Sequence, residues 1–145
     1  RVPDGMPPSL EQVFLLAMRP FLARCAEVLA PLVDAAGPLG GRCPNCAWEP
    51  DFSVLLATGE RRLVCGRCVG QWQADASACP FCGDASAITS FATPDRRYQV
   101  FACNGCQRYL KAYNARGASR GVLVAVDSIA TLPLDAAAMQ RGYVG

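Results

Sequence analysis

Four Cys-x-x-Cys pairs dominate the middle of this 145-residue chain and account for eight of its nine cysteines. The pairs are Cys43/Cys46, Cys65/Cys68, Cys79/Cys82 and Cys103/Cys106. The gaps between successive pairs are 18, 10 and 20 residues, and the two longer gaps match the spacing of structural four-cysteine zinc sites. Because one Cys-x-x-Cys turn can direct two sulfur atoms at one ion, two facing turns complete a tetrahedron.

Each longer gap contains a predicted β-hairpin. In the first, an apolar run at 52–57 is followed by a turn at 58–60 and a second strand at 61–64. In the second, a run at 86–92 is followed by a turn at 93–96 and a strand at 97–102. The offsets of 36 residues from Cys43 to Cys79 and 38 from Cys65 to Cys103 indicate a tandem duplication of one small module.

The hairpins also predict how the cysteine pairs combine. Because each hairpin joins the two turns at its ends, the first two pairs are assigned to one site and the last two to another. Site 1 comprises Cys43, Cys46, Cys65 and Cys68, and site 2 comprises Cys79, Cys82, Cys103 and Cys106. An interleaved combination of the four pairs stays open on sequence grounds.

The four-thiolate ligand set limits which ions can bind and which role they can have. Four thiolates at each site leave no open position for water, which favours a structural role over Lewis-acid catalysis. Zinc and iron both accept a tetrahedron of sulfur ligands. The prediction is therefore two ions per chain, iron or zinc, each bound by four cysteines. Iron would make the sites rubredoxin-like and able to carry one electron, whereas zinc would make them redox-silent. The chain has no histidine, which excludes mixed coordination and removes the commonest general base.

Other interpretations of the cysteines fit less well. Disulfides suit small secreted domains, but the chain shows no secretory signal pattern, and cysteines arranged only as x-x pairs fit metal better. Thioredoxin-like redox pairs need a βαβ setting, which the hairpins do not provide. Cys25, the unpaired cysteine, lies in a helical apolar stripe and is predicted to be a small buried apolar residue.

The predicted fold class is α+β, with two tandem rubredoxin-like or zinc-ribbon modules flanked by helices at both ends. Residues 1–40 form a helical flank, 41–76 the first module and 77–113 the second. Residues 114–145 are expected to form a strand and a helix that pack on the modules. The cysteine-rich middle has little apolar material for its length, so the metals are expected to supply much of its folding free energy.

The flanks carry local start and stop signals. Ser9 and Gln12 predict a capping box, and Pro20 is expected to break or kink the helix before a second helical stretch at 21–32. Near the other end, 122–126 predicts a short strand and Asp127 with Ser128 a helix cap. A last helix is expected over 134–141, ended by Gly142.

Charge argues against a nucleic-acid backbone binder. Residues 42–120 hold ten basic and six acidic side chains, but eight thiolates with two divalent ions would make this region about neutral. Phosphate binding depends on a net positive surface. The six arginines near the cysteine pairs are therefore interpreted as solvated charges or as donors to thiolates; they are Arg61, Arg62, Arg67, Arg96, Arg97 and Arg108. No apolar run approaches the ~18 residues of a spanning helix.

The order of motifs resembles the formate dehydrogenase accessory protein E family over nearly the whole chain. The residues that carry the resemblance are Arg19-Pro20-Phe21-Leu22, the four cysteine pairs with Pro44 and Pro80, Trp72, Tyr109-Leu110-Lys111, Asp127, Thr131-x-x-Leu134-Asp135 and Gly142-Tyr143. Two departures are Gln73, where many relatives have histidine, and Pro133 within the final helical segment. The family's amino-terminal helical part is expected to be absent or shortened here.

The resemblance implies a cytoplasmic, non-catalytic assembly factor with rubredoxin-like iron that contacts the catalytic subunit of formate dehydrogenase. The eight paired cysteines would be its metal ligands. Two alternatives stay open: an iron electron-transfer protein acting on that client, and a zinc-ribbon nucleic-acid binder. Candidate partner-binding residues are Trp72, Tyr109, Lys111 and Tyr113, although aromatic residues at such positions also cover cores.

Overall fold

A computed structural model describes residues 7–33 and 41–145. The described part begins with a long helix, continues through a six-stranded sheet and ends in two short helices. The elements are α1 (Pro8–Leu29) with a 3-10 turn at Ala30–Leu32, β1 (Pro50–Leu55), β2 (Arg61–Cys65), β3 (Gln71–Ala74), β4 (Ile88–Ala92), β5 (Tyr98–Cys103), β6 (Arg108–Asn114), α2 (Val124–Ala130) and α3 (Leu132–Gln140). This content confirms the predicted α+β class.

Both predicted hairpins are present, and each gains a third strand after its second cysteine pair. β1 pairs antiparallel with β2, and β4 with β5, as the turn signals predicted. β3 then extends the first hairpin, and β6 extends the second. Each module is therefore an antiparallel three-stranded unit with the same order of strands and turns.

The two units form one continuous sheet in the order β3-β2-β1-β6-β5-β4. They join through a parallel pair, in which Phe52 of β1 lies opposite Lys111 of β6. Short contacts away from the sheet also connect them. A side chain at Gly41 would lie 1.5 Å from the Pro80 carbonyl oxygen, so only glycine allows the start of the first module to approach the second this closely.

Helix α1 differs from its prediction. It continues through Pro20 as a single helix of 22 residues, although an interior proline removes one backbone hydrogen-bond donor. Its N-cap is Pro7 without a side-chain hydrogen bond, so Ser9 and Gln12 lie inside the helix and form no capping box. Cys25 is half-buried. Within residues 7–33 and 41–145, no helix combines the length and the hydropathy that crossing a bilayer requires.

The carboxy-terminal flank is helical where a strand was expected. The apolar run at 122–126 enters α2, so Asp127 lies within that helix and does not cap it. Its carboxylate instead accepts a hydrogen bond from the Leu123 N–H at 2.7 Å, one turn back. α3 holds its proline in the first turn, where a missing donor costs little, and ends as predicted before Gly142, whose φ is +87°.

Apolar side chains cover both faces of the sheet. One cluster joins α1 to the first module through Ala26, Leu63, Trp72, Leu110 and three sulfur-bearing residues of site 1. The adjacent residue Val64 faces the other way and packs with Phe52, Val54 and Tyr113. A third cluster places Ala138 of α3 against Val100, Ala102 and Tyr109. The long helix therefore covers the site 1 end of the fold, and the final helix covers the second module.

Candidate metal centres

The structure brings the eight paired cysteines together in the two sets that the hairpins predicted. Within each set, all four sulfur atoms lie within 4.8 Å of one another. In site 1, Cys43 Sγ lies 3.5 Å from Cys68 Sγ, and Cys46 Sγ lies 3.5 Å from Cys65 Sγ. In site 2, the matching separations are 3.7 Å for Cys79 and Cys106 and 3.6 Å for Cys82 and Cys103.

These separations fit a tetrahedral ion. With metal–sulfur bonds of about 2.3 Å, the edge of a tetrahedron of sulfur atoms is about 3.8 Å. These four separations are within a few tenths of an ångström of that edge, and none approaches the bond length of a disulfide. Both clusters could therefore hold zinc or iron with little movement.

A repeated backbone turn presents the sulfur atoms. After the second cysteine of every pair, the next residue adopts a left-handed conformation, with φ between 56° and 80°. Its N–H donates to the carbonyl oxygen of the first cysteine at 2.8–3.2 Å. These residues are Ala47, Val69, Gly83 and Gln107. Three of the four are not glycine, and the β-branched Val69 is the most unfavourable in this region, so the turns retain local strain at the metal-binding positions.

Backbone donors and burial act in opposite directions on the thiols. In site 1, the N–H groups of Arg67 and Cys68 point at Cys65 Sγ from 3.3 and 3.4 Å. At Cys68, the N–H of Gly70 acts to lower the pKa, but burial outweighs it and raises the pKa to about 11. In site 2, burial raises the pKa of Cys106 to about 12. Such thiols stay protonated at neutral pH without a cation, so metal binding must release protons and weakens as the pH falls.

The two sites differ in exposure. In site 1, Cys43, Cys65 and Cys68 are buried and Cys46 is half-buried. Ala26 and Leu22 of α1 and the ring of Trp72 pack over this cluster. In site 2, Cys82 is exposed to solvent and Cys106 is half-buried. One edge of the second cluster is thus open to water and reagents.

We expect site 2 to lose its ion before site 1 when the metal-loaded protein is mixed with excess chelator. The exposed Cys82 sulfur can exchange with a competing ligand without prior opening of the fold, whereas site 1 requires movement of α1. Alkylating samples at intervals and locating the modified peptides by mass spectrometry would resolve the two sites. Simultaneous release, or earlier labelling of site 1, would contradict this order.

The arginines near the cysteines are more constrained than the sequence suggested. Arg67 stacks over Trp48, with its guanidinium carbon 5.0 Å from the ring centre. Arg108 stacks over Phe81 at 3.7 Å and donates to Glu49 at 2.9 Å. Since Arg108 belongs to the second module and Glu49 to the first, this ion pair also connects the modules.

Arg61 is the residue whose environment the sequence interpretation missed. It is only 1% exposed. Burial lowers its pKa to about 10, so the guanidinium remains charged at neutral pH. The alternation of side chains along β2 could have revealed this burial, because Arg61 lies on the same face of the strand as Leu63 and Cys65.

The four partner-binding candidates lie in the protein's own core. Trp72, Tyr109, Lys111 and Tyr113 are 4%, 7%, 8% and 0% exposed. Tyr113 donates to the Arg120 carbonyl oxygen at 2.7 Å, and Lys111 donates to Asp135 at 2.6 Å. Because these side chains are enclosed between strands and helices, we do not assign a partner surface to them.

Comparisons with known proteins agree with this arrangement. No protein-family model matches the chain. An FdhE homologue from Shewanella baltica is 31% identical over 106 residues, which cover 70% of this chain and 35% of that protein. FdhE from Escherichia coli is 29% identical over 106 residues, covering 70% and 34%.

A solved structure shares the fold. The crystal structure of FdhE from Pseudomonas aeruginosa matches with a TM-score of 0.66 and 25% identity, covering 72% of this chain and 38% of that one. The chain therefore spans about a third of the length of the curated relatives it matches. With two four-cysteine clusters in a fold and sequence shared with these proteins, the chain belongs to the FdhE family.

Proposed function

We propose that the chain is a metal-binding accessory factor that contacts the catalytic subunit of formate dehydrogenase during its maturation. The observation that carries the proposal is the pair of preassembled four-cysteine clusters in a fold shared with FdhE. The eight clustered cysteines are the proposed ligands of two ions, iron or zinc. The family resemblance also supports a cytoplasmic location.

Binding without turnover is the proposed mode of action. A catalytic site needs a positioned acid, base or nucleophile in a pocket. The clustered thiols are assigned to metal, and the chain contains no histidine. Asp127 and Asp135 are each paired with a base, Arg120 and Lys111 respectively. The clustered thiols and these two carboxylates therefore have structural roles, which supports binding to a client as the mode of action.

Exposed apolar side chains on the carboxy-terminal helices are the proposed contact with the catalytic subunit. Val126, Ile129 and Leu132 are 54%, 67% and 58% exposed. Their helices are fixed to the sheet by the hydrogen bond from Tyr98 to Asp127 and by the ion pair of Lys111 with Asp135, so these apolar groups are presented on a rigid support. Apolar groups clustered on a surface are typical of interaction sites.

We expect Ile129→Glu to reduce capture of the formate dehydrogenase catalytic subunit about tenfold, since a central apolar contact contributes about 1–2 kcal/mol to an interface. Pull-down with the tagged chain, followed by quantification of the subunit, measures the effect. Gln140→Glu places the same charge at the exposed last residue of α3, away from Ile129 in α2, and should preserve capture.

Metal content separates loss of contact from loss of fold, and both variants should retain two ions. Failure of the unaltered chain to capture the subunit would contradict the assembly role. Equal capture by the two variants would remove the α2–α3 surface from the interface and leave the role itself intact.

An iron electron carrier is the second candidate function, and the exposure of Cys82 favours it. An exposed ligand sulfur would bring an iron centre within short reach of a redox partner. Protein purified without oxygen from its native host should then contain iron and show a visible absorption that bleaches reversibly on reduction. Zinc in both sites would exclude this function.

Nucleic-acid binding receives less support. Three of the arginines that suggested it make contacts within the protein, since Arg61 is buried and Arg67 and Arg108 stack on aromatic rings. With metal bound, the region from 42 to 120 is about neutral. A salt-dependent binding assay with single-stranded and duplex nucleic acid would test this class directly.

A further inference from the structure

Arg61 belongs to the first module but its side chain reaches toward the second metal site. Its Nη1 donates to the carbonyl oxygen of Ala78, the residue before Cys79, at 3.5 Å. The guanidinium carbon lies 4.8 Å from the ring centre of Phe101, two residues before Cys103. Arg61 thus contacts the chain beside both cysteine pairs of site 2.

The buried guanidinium has too few partners for its charge. Its Nε and Nη2 atoms are buried without a hydrogen-bond acceptor. Among the described residues, no carboxylate lies within ion-pair distance of it, whereas the buried Lys111 has Asp135 at 2.6 Å. An uncompensated cation inside a protein is strongly unfavourable. The position therefore implies a negative charge nearby.

Site 2 can supply that charge. Four thiolates around a divalent ion carry a net charge of −2, and Arg61 Nη1 contacts the carbonyl oxygen of Ala78, which directly precedes the site 2 ligand Cys79. Asp75, an acidic residue shortly before Cys79, is exposed and accepts hydrogen bonds from Ser77 at 2.6 and 2.8 Å. Solvent and Ser77 therefore satisfy Asp75, which leaves the thiolate cluster as the counter-charge that is close to the buried cation.

We propose that Arg61 is a positioning residue that compensates the negative charge of the metal–thiolate cluster in site 2. Through it, the first module stabilises metal binding by the second. The inference rests on the proposed occupancy of site 2 by a metal and is independent of the client.

The duplication predicts that this effect is confined to one site. Arg61 lies four residues before Cys65, and the corresponding position before Cys103 is Gln99, which is neutral. Site 1 therefore receives no matching cation from the second module. A change at Arg61 should affect site 2 far more than site 1, although Arg61 lies on the same strand as Cys65.

The test compares Arg61→Met, which removes the charge, Arg61→Lys, which retains it, and Arg62→Met, which removes the exposed neighbouring charge. Zinc-loaded full chains are titrated with a chelator, and alkylation with mass spectrometry reports each site separately. Arg61→Met should weaken zinc binding at site 2 about tenfold or more, as loss of groups that support metal ligands commonly does. Arg61→Lys should lose less, and Arg62→Met should match the unaltered chain.

Iron supplies a readout that simple packing would not change. After reconstitution with iron, Arg61→Met should lower the reduction potential of site 2, because the reduced centre carries one more negative charge and loses its nearby cation. Arg61→Lys should retain most of the potential and remains informative if Arg61→Met fails to fold.

Equal weakening of both sites, or an unchanged site 2 potential in a folded Arg61→Met protein, would overturn the proposal. Absence of metal from site 2 of the unaltered chain would overturn both this inference and the proposed ligand assignment. Loss of client capture with normal metal binding would instead concern only the accessory role.

Discussion

Replacing Cys65 by serine is expected to reduce the metal content from two ions per chain to one and to unfold the first module. Structural zinc contributes on the order of 10 kcal/mol to small modules, which is comparable to the stability of a whole domain. Cys65 is fully buried and accepts two backbone N–H···S hydrogen bonds, so serine can replace neither the ligand nor its packing. Elemental analysis with site-resolved hydrogen exchange would measure both effects.

The sheet order predicts where exchange protection is lost. The backbone amides of β2 and β3 depend on site 1 and should exchange fastest. β4 and β5 remain paired with each other and next to an intact site 2, so their amides should stay protected. β6 should be intermediate, because it loses β1 and retains β5. Cys103→Ser should reverse this pattern. Cys25→Ser is the control, since Cys25 lies outside both clusters. Two ions retained by Cys65→Ser would contradict the ligand assignment.

Local patterns predicted the parts of the fold that depend on neighbouring residues. The two hairpins and the grouping of cysteine pairs follow from short spacings and turn residues, and the structure has both. The end of α3 shortly before Gly142 follows from the same kind of signal. Within each hairpin, the alternation of apolar and polar residues and the turn set the strand pairing, so the rest of the chain is hardly needed to predict it.

Two of the features that were missed depend on distant contacts. The parallel pairing of β1 with β6 joins residues almost 60 positions apart, as in Phe52 with Lys111, and no turn fixes that register. The burial of Arg61 depends on the same joint, because the second module supplies Phe101 and the Ala78 carbonyl oxygen around it. Composition alone would place an arginine at the surface.

The acidic residues of the terminal motif proved to be structural clamps. The resemblance named Asp127 and Asp135 without a role for either. In the structure, Asp135 accepts hydrogen bonds from Tyr109 at 2.8 Å and from Lys111 at 2.6 Å. These contacts hold α3 against β6, while Asp127 performs the same task for α2. Sequence spacing could not reveal the partners, since they lie on other strands and loops.

Asp127→Ala is expected to destabilise the metal-loaded protein by about 3 kcal/mol, because a fully buried carboxylate and several charge-assisted hydrogen bonds are lost together. The carboxylate accepts from Tyr98 Oη at 2.7 Å, from Arg120 Nη2 at 2.5 Å and from the Leu123 N–H at 2.7 Å. Denaturant titration measures the loss, and hydrogen exchange should locate it in α2 and α3.

The pH dependence of this effect follows from the ionised form of Asp127. Burial acts to raise its pKa, but hydrogen bonds from Arg120, Tyr98 and Leu123 outweigh burial and lower it. A lowered pKa contributes stability that is fully present above the unfolded value and is lost only as the pH falls through the folded value. The difference between the variant and the unaltered chain should therefore stay constant from about pH 5 to 8.

A matched control separates this buried pair from an ordinary surface one. Glu27 pairs with Arg24 at 2.8 Å on α1, but the two side chains are 66% and 75% exposed. Glu27→Ala should therefore cost less than about 0.5 kcal/mol. If Asp127→Ala cost as little, Asp127 would not clamp α2 to the sheet, and the rigid presentation of Ile129 to a client would lose its structural basis.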